Sequence, residues 1–154
     1  MAAMARSSRC LITQVFFDNV RVPRDHIVGE LGKGFQAVAR SLNAERLLLA
    51  SECVGDGRYL LARAAEYARE RRVFDRPIGQ NQGVAFPLAE SATNSHAAHL
   101  LGCNAAALLD SGHRAIKELS MAKTFAVRAA VKAVDRAMQT HGAMGFTNEL
   151  GLTE

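Results

Sequence analysis

The chain has 154 residues, of which 49% are hydrophobic and 22% charged, and its formal net charge is +4, values typical of one globular domain with a real core. No apolar run approaches the roughly 20 residues that span a bilayer, and the start lacks the hydrophobic stretch of a signal peptide, so we expect a soluble protein of the cytoplasm, or of the mitochondrial matrix in a eukaryote. Because tryptophan is absent and aromatics are only 6%, the arginines have no stacking platform, which argues against nucleic-acid binding.

A short β segment is predicted near the amino terminus. From Leu11 to Pro23 the apolar residues Val15, Phe17, Val20 and Val22 alternate with polar ones, as in a strand. One or two strands without further sheet would leave an unpaired edge and an uncovered apolar face. We therefore expect that the sheet to which this segment belongs is missing from the chain.

Three long helices are predicted after the glycine-rich turn GELGKGF. The first runs from about Phe35 to Arg71, with Gly55 and Gly57 as the points where it could bend. The second runs from about Gln80 to Asp110, and the third from about Ala115 to His141. Short connections favour antiparallel neighbours. The predicted fold is an all-α, antiparallel up-down helical bundle with three long helices and a truncated fourth, preceded by the short β segment.

Glu45 is the most interesting candidate for chemistry. Its neighbours three and four positions away include Leu42, Leu48 and Leu49 and offer no countercharge, whereas a surface carboxylate usually has one. A carboxyl group against leucines binds a proton more readily, as a general base requires. The alternative is an unpaired, solvated glutamate. Arg46 also lacks a charged partner and could hold an anionic or carbonyl group, or could be a surface arginine with a buried stem.

Two further segments are candidate anion sites. YARERRVFDRPIGQNQ carries four arginines around a helix end, a pattern that suits a phosphate but is equally typical of a solvated charge run. QTHGAMGF has the glycines of a nucleotide loop but follows a helix, so Gly142 could be an ordinary helix cap. His96 and His99 have no third ligand at metal spacing, and the three cysteines form no Cys-x-x-Cys pair, so no metal site is expected.

Taken together, VFFDNVRVP, GELGKGF, LNAERLLLA, YARERRVFDRPIGQNQ, MAKTFA and QTHGAMGF, in this order and spacing, resemble the acyl-CoA dehydrogenase family. The resemblance covers about residues 12 to 154. It implies that residues 1–31 are a tail and the last strand of a missing middle β domain, and that residues 32–154 are an incomplete carboxy-terminal helical bundle domain.

The resemblance also assigns site residues. Arg71, Phe74 and Gln82 match the family residues that touch the FAD of a neighbouring subunit. A second flavin-contacting segment is matched by Gln139, Gly142 and Gly145.

Two residues depart from the family pattern. Asp75 stands where the family has a glycine, and Ala143 replaces the second glycine of a Gly-Gly pair. An acid near a pyrophosphate is repulsive unless it pairs with Arg72 or Arg76, so Asp75 is the more serious departure.

The implied activity is α,β-dehydrogenation of an acyl-CoA thioester. Glu45 matches one of the family's two positions for the catalytic base, and the adjacent Arg46 would contact the substrate. The resemblance further implies FAD as cofactor, an electron-transfer flavoprotein as acceptor, and a homo-oligomer, either a dimer or a tetramer. Two alternatives stay open: a non-catalytic helical oligomerisation module, because most flavin contacts belong to the missing domain, and a related flavin oxidase on the same fold.

Overall fold

The computed structural model describes residues 14–152, and three long helices dominate them. Helix α1 spans Gly34–Glu70, α2 spans Gln82–Asp110 and α3 spans Ile116–His141. Short 3-10 helices cover Arg24–His26, Ile78–Gln80 and Gly142–Phe146, and a two-stranded antiparallel hairpin pairs β1 (Arg72–Val73) with β2 (Arg76–Pro77). The all-α bundle is confirmed, and the three helix predictions agree to within two residues at each end.

The order of the helices is up, down, up. At one end Leu47 of α1 packs near Ala105 of α2 and Leu119 of α3, and at the other end Leu60 packs with Leu88 and Ala137. We call the first end, which holds the α2–α3 turn Ser111–Arg114, the turn end. The opposite end, which holds β1 and β2, is the hairpin end.

Small residues form most of the core. The inner face of α3 is buried along its whole length, and its members are Leu119, Ala122, Ala126, Ala129, Ala133, Ala137 and His141. Alanines at this spacing form one helix face, and their short side chains let the neighbouring backbones approach closely. The spacing of small residues in the sequence predicts this inner stripe, with Met138 in place of His141 as its last member; the stripe is confirmed, although Met138 is only half-buried.

The turn between α2 and α3 has the chemistry that the pair Ser111–Gly112 predicts. Gly112 has a φ of +84°. Its N–H donates to the Leu109 carbonyl, and that of His113 donates to the Leu108 carbonyl, each at 2.9 Å. This is a Schellman motif, which satisfies carbonyls left open at the end of a helix.

The prediction of a strand in Leu11–Pro23 is wrong for residues 14–23, the part of the segment that the structure describes. Residues 14–23 belong to no strand, and Phe16 and Phe17 are about four-fifths exposed. A strand requires a hydrogen-bonded neighbour, and no element among residues 14–152 lies against this segment as one. Leu11 itself lies outside the described residues. The hairpin that does form lies between the predicted first and second helices, where no strand was expected.

The described chain ends in a turn that closes the hairpin end. Arg63 of α1 donates to the Leu150 carbonyl at 2.8 Å, and Leu152, only 5% exposed, joins the cluster of Leu60 and Ala137. The sequence FTNELGLTE, from Phe146 onward, suggests the start of a further element after the glycines, but as far as residue 152 it forms the end of a 3-10 helix followed by turns.

The contact between α1 and α2 contains one unsatisfied hydroxyl. Ser95 is 6% exposed, and its Oγ has no hydrogen-bond partner, whereas Ser91, one turn earlier, accepts a bond from Arg136 at 2.8 Å. A Cβ on Gly57 would lie 3.6 Å from the Ser95 Oγ, an ordinary contact distance, so α1 and α2 are close here but leave room for a methyl group. Helix α1 continues through Gly55 and Gly57 without interruption.

We expect Ser95→Ala to raise the free energy of unfolding by about 1 kcal/mol, because it removes a buried hydroxyl that has lost its water without gaining a partner. Ser91→Ala is the matched control and should lower that free energy by about 1 to 3 kcal/mol, because Arg136 loses an acceptor. Urea unfolding followed by far-UV circular dichroism measures both. Equal destabilisation by the two variants would contradict the account of Ser95.

Candidate functional site

Glu45 lies on the exposed, apolar side of α1. Around it Val38 is 54% exposed and Leu48 68%, while Leu42 and Leu49 are about one-third exposed. The salt bridges found within residues 14–152 join Lys33 to Glu30 and Arg136 to Glu90, so Glu45 has no cationic partner there. The apolar surroundings predicted from the sequence exist, but they form an open face and the carboxylate is exposed. Another surface must cover this face before Glu45 is enclosed.

Arg46 lines a cavity of about 810 Å³ at the turn end. Its Nη1 donates to Asn43 Oδ1 at 2.8 Å. Arg46 therefore has a neutral hydrogen-bond partner, which the charge pattern of the sequence does not predict. Arg40 from α1 and Arg114 from the α2–α3 turn line the same cavity, with Phe35 and Ile116 on its apolar side and no acid in its lining. Three cations beside an apolar wall can bind a ligand with an anionic and an apolar part.

Neither Arg40 nor Arg114 is predicted as a site residue from the sequence. Arg40 lies six positions before Arg46, too far for a local pair, and Arg114 is brought to α1 only by the folding of the bundle. The signal that could have found them is the predicted up-down order, since it places the α2–α3 turn at the amino-terminal end of α1.

Phe74 stands at the tip of the hairpin and is 93% exposed. Phe74 and Asp75 have φ values of +52° and +61°, the pattern of a type I′ turn, which usually uses Asn and Gly. A non-glycine residue in this region costs roughly 1 to 2 kcal/mol. The turn therefore holds a large aromatic ring in solvent at a conformational cost, an arrangement that marks functional sites elsewhere. The glycine of the family pattern would fit the Asp75 position without strain.

The arginines of the hairpin end are not paired with the nearby acids. Arg72 donates to the Asp75 backbone carbonyl at 3.3 Å and Arg76 to Asn81 Oδ1 at 2.7 Å, but neither forms a salt bridge with the Asp75 carboxylate. Arg71 is exposed at the end of α1, and Gln82 is the exposed first residue of α2. Four guanidinium groups, Arg69 included, thus remain available to an anionic partner.

The segment Gln139–Gly145 lies at the same end of the bundle. Gly142 caps α3 with φ +61° and ψ −138°, a conformation that is essentially restricted to glycine. A Cβ on Gly145 would overlap the Met138 carbonyl oxygen, so Gly145 has a packing reason of its own. Ala143 has no positive φ and fits the turn, which makes this departure from the family pattern mild.

A buried histidine ties this segment to α1. His141 is 6% exposed, its Nδ1 lies 2.8 Å from the Ala137 carbonyl, and its ring lies 4.5 Å from that of Tyr67 between centroids. Tyr67 is one turn before Arg71. The structure therefore brings together the two segments expected to contact a cofactor.

The structure does not bring those segments to Glu45. Glu45 and Arg71 are 26 positions apart on one continuous helix, which corresponds to about 39 Å at 1.5 Å per residue. The candidate base and the substrate arginine lie toward the turn end, and the candidate cofactor residues lie at the hairpin end. A single copy of this chain cannot place one FAD group in contact with both sets.

Residues 14–152 contain no group of three or more His, Cys, Asp or Glu side chains that could hold a metal ion. None of the helices described is long and apolar enough to cross a membrane.

Comparison with known proteins places the chain in one family. A family model for the acyl-CoA dehydrogenase carboxy-terminal domain matches residues 32–154. The chain is 41% identical over 137 residues to an acyl-CoA dehydrogenase of Bacillus subtilis, covering 89% of this chain and 36% of that protein. It is 38% identical over 140 residues to a 3-(aryl)acrylate reductase of Clostridium sporogenes, covering 91% of this chain and 37% of the relative. It therefore spans little more than a third of the length of these relatives.

Solved structures agree with this result. The glutaryl-coenzyme A dehydrogenase complex with glutaryl-CoA superposes with a TM-score of 0.81 at 38% identity, covering 89% of this chain and 35% of that one. The structure of PigA with FAD and proline superposes with a TM-score of 0.86 at 28% identity, covering 89% and 36%.

We expect Asp75→Gly to raise the free energy of unfolding by about 1 kcal/mol, because glycine adopts the positive φ of this position without a Cβ clash. Asp75→Asn is the control: asparagine tolerates the same conformation, so removing the charge alone should leave stability nearly unchanged. Thermal unfolding of the three proteins measures the difference. A gain for Asn as large as that for Gly would assign the cost to charge and not to the backbone.

Cys53 provides a pH-dependent test of the packing between α1 and α3. Burial raises the pKa of its thiol, the carboxylates of Asp56 and Glu52 raise it further, and Lys123 partly offsets them. Because a higher pKa leaves less thiolate at neutral and mildly alkaline pH, Cys53 should react with iodoacetamide more slowly in the folded chain than in urea, and the gap should narrow as pH rises. Peptide mass spectrometry follows Cys53 separately from the other cysteines. Equal rates in both states would contradict this packing.

Proposed function

The chain belongs to the acyl-CoA dehydrogenase family, as its carboxy-terminal domain, and on that premise we propose that it supplies the helical part of an FAD-dependent enzyme that oxidises the α,β-bond of an acyl-CoA thioester. The observation that carries the proposal is the pairing of Glu45, on an open apolar face without a cationic partner, with a neighbouring cavity lined by Arg40, Arg46 and Arg114. The cavity offers cations to the anionic groups of coenzyme A, and the apolar face offers a surface for the acyl chain.

In this proposal Glu45 is the catalytic base. Its carboxylate removes the proton from the α-carbon of the thioester, and covering the apolar face by substrate strips water from the carboxylate, which strengthens it as a base. Bound FAD would accept the hydride from the β-carbon. Arg46, fixed by its bond to Asn43, holds the substrate beside Glu45.

The hairpin end has features that suit FAD. Its arginines are free of the neighbouring acids and would face the pyrophosphate, Phe74 presents an exposed ring, and nothing lies within 4 Å of where a Cβ on Gly142 would be, so the backbone is open there. The unpaired Asp75 carboxylate opposes an anion, but the arginines in this segment outnumber the acids, four to three, from Glu66 to Arg76.

The distance of about 39 Å between Glu45 and Arg71 requires that these residues serve different flavins. We infer that a second copy of the chain supplies the hairpin end to each site, and that the enzyme is a homo-oligomer. We also infer that residues 1–31 include the end of a β domain, whose sheet would provide the partner that residues 14–23 lack. The start of the family match at residue 32 supports this boundary.

The electron acceptor is the other proposed partner. The chain is 37% identical over 140 residues to subunit CarC of a caffeyl-CoA reductase–Etf complex of Acetobacterium woodii, and its fold matches a chain in a structure described as an electron transferring flavoprotein of Acidaminococcus fermentans. An electron-transfer flavoprotein would reoxidise the flavin. Two similar proteins are named reductases, so the proposed chemistry includes both the oxidation of the α,β-bond and its reverse, the reduction of that bond.

One alternative is that the chain by itself is a helical assembly module without catalysis, which the separation of the two candidate sets favours. Titrating FAD into the purified chain while recording the visible spectrum distinguishes a cofactor-binding domain from an assembly module. A perturbed flavin spectrum that is lost in Arg71→Ala supports cofactor binding by the hairpin end, and a spectrum identical to that of free FAD supports the assembly role.

We expect Glu45→Gln to lower the rate of flavin reduction by substrate by roughly 10²- to 10⁴-fold while FAD stays bound, because glutamine has a similar shape and cannot take the proton. The test uses a chimera in which this chain replaces the matching third of the Bacillus subtilis relative, with stopped-flow bleaching of the flavin as the measurement. Glu52→Gln, two turns further along α1 and also exposed, is the control and should reduce normally. Normal reduction in Glu45→Gln would remove Glu45 from the role.

A further inference from the structure

An acid and an aromatic ring share the tip of the hairpin between β1 and β2. Phe74 is 93% exposed, and Asp75, which follows it directly, is exposed as well. Both have a positive φ and occupy the two central positions of the turn. Consecutive Cα atoms lie about 3.8 Å apart, so a ligand that contacts the Phe74 ring comes close to the Asp75 carboxylate.

The charge of Asp75 is not neutralised by the arginines beside it. Arg72 donates to the Asp75 backbone carbonyl at 3.3 Å, and Arg76 donates to Asn81 Oδ1 at 2.7 Å. No salt bridge among residues 14–152 includes Asp75. The carboxylate therefore repels an anion that approaches the tip, while the neighbouring guanidinium groups attract it.

The position of Asp75 sets it apart from the other acids of the hairpin end. Glu66 and Glu70 belong to the last turns of α1, whereas Asp75 lies at the tip beside the ring. The interaction of two charges falls with the distance between them, and salt screens it beyond about 8 Å at physiological ionic strength. Among these three acids, Asp75 therefore acts most strongly on a ligand held at Phe74.

We propose that Asp75 weakens the binding of FAD at the hairpin end by repelling its pyrophosphate, so that the flavin of this protein is readily exchanged with free FAD. The proposal rests on the cofactor role proposed above for this end and names the residue that limits the affinity. Occupancy then follows the concentration of free FAD, because a weakly held ligand fills its site only when it is abundant. Asp75 thus makes the flavin content of the protein responsive to the supply of flavin.

The size of the effect follows from Coulomb's law. A unit charge about 8 Å from a doubly charged pyrophosphate, in a surface environment that is mostly water, weakens binding roughly three- to tenfold. A change of this size turns a site that is nearly filled into one that is partly filled at the same FAD concentration.

Asp75→Asn tests the charge alone. Asparagine has nearly the same shape and tolerates the same positive φ, so the turn is kept and the repulsion is removed. We expect the dissociation constant for FAD to fall roughly three- to tenfold, as measured by equilibrium dialysis of the full chain against FAD. Asp56→Asn is the matched control. Asp56 is exposed on α1, about 22 Å from Arg71 along the helix, and removing its charge should leave the constant unchanged.

Salt and a glycine variant separate the charge from the backbone. The dissociation constants of the unchanged chain and Asp75→Asn should differ most at about 0.01 M salt and converge at about 1 M, where the Debye length is only about 3 Å. Asp75→Gly removes the charge and also relieves the backbone. Because charge is the proposed cause, its dissociation constant should match that of Asp75→Asn within about twofold.

Four results would overturn the proposal: no gain of affinity in Asp75→Asn, a gain that persists undiminished at high salt, a gain in Asp75→Gly alone, or no FAD binding by any of these chains. Each of them is read from the same dialysis series, so the charge of Asp75 is either the cause of weak binding or it is not.

Arg71→Ala in the same dialysis distinguishes the role of Asp75 from the cofactor role on which it rests. If Arg71→Ala loses affinity while Asp75→Asn gains none, the hairpin end still binds FAD and only the role of Asp75 fails. If neither substitution changes the constant, the cofactor role of this end fails as well. No substrate is present, so the test of Glu45 is independent of both.

Discussion

The close approach of α3 to its two neighbours is the constraint on which the rest of the structure depends. Alanines fill the inner face of α3 from Ala122 to Ala137, and only Leu119 among its fully buried side chains is large. Such a face supplies little apolar area per residue but brings backbones near enough for dispersion contacts and for bonds such as those of Arg136 to Pro87 and Ser91. In a bundle held in this way the larger apolar side chains remain on outward faces.

The uninterrupted length of α1 separates the two halves of the candidate site. A helix without a break from Gly34 to Glu70 cannot fold back, so whatever binds at Phe74 is held far from whatever reacts at Glu45. The polar connections reinforce this separation: His141 and Tyr67 fix the hairpin end, and the Schellman turn at Gly112 fixes the turn end. In the proposed function, each site is therefore built from surfaces of two copies of the chain, which lie on the exposed faces of the bundle.

Much of the fold follows from local patterns in the sequence. The helices were predictable because their apolar spacing, the pair Ser111–Gly112 and Gly142 are local signals, and the alanine stripe identified the inner face of α3. The absence of a strand at residues 14–23 was not predictable, because an alternating pattern shows which face of a strand would be buried but not whether a partner strand is present. Arg40 and Arg114 were missed because their meeting with Arg46 is a tertiary event, and the hairpin Arg72–Pro77 was missed because Phe74 and Asp75 are unusual residues for its turn.

The apolar side chains that an alanine core leaves outside acquire a meaning from the charges beside them. The leucines around Glu45 lie along the same helix as Arg40 and Arg46, two of the cations that line the neighbouring cavity. A contiguous exposed apolar surface beside cations suits a substrate with an apolar and an anionic part, or another domain, better than it suits solvent.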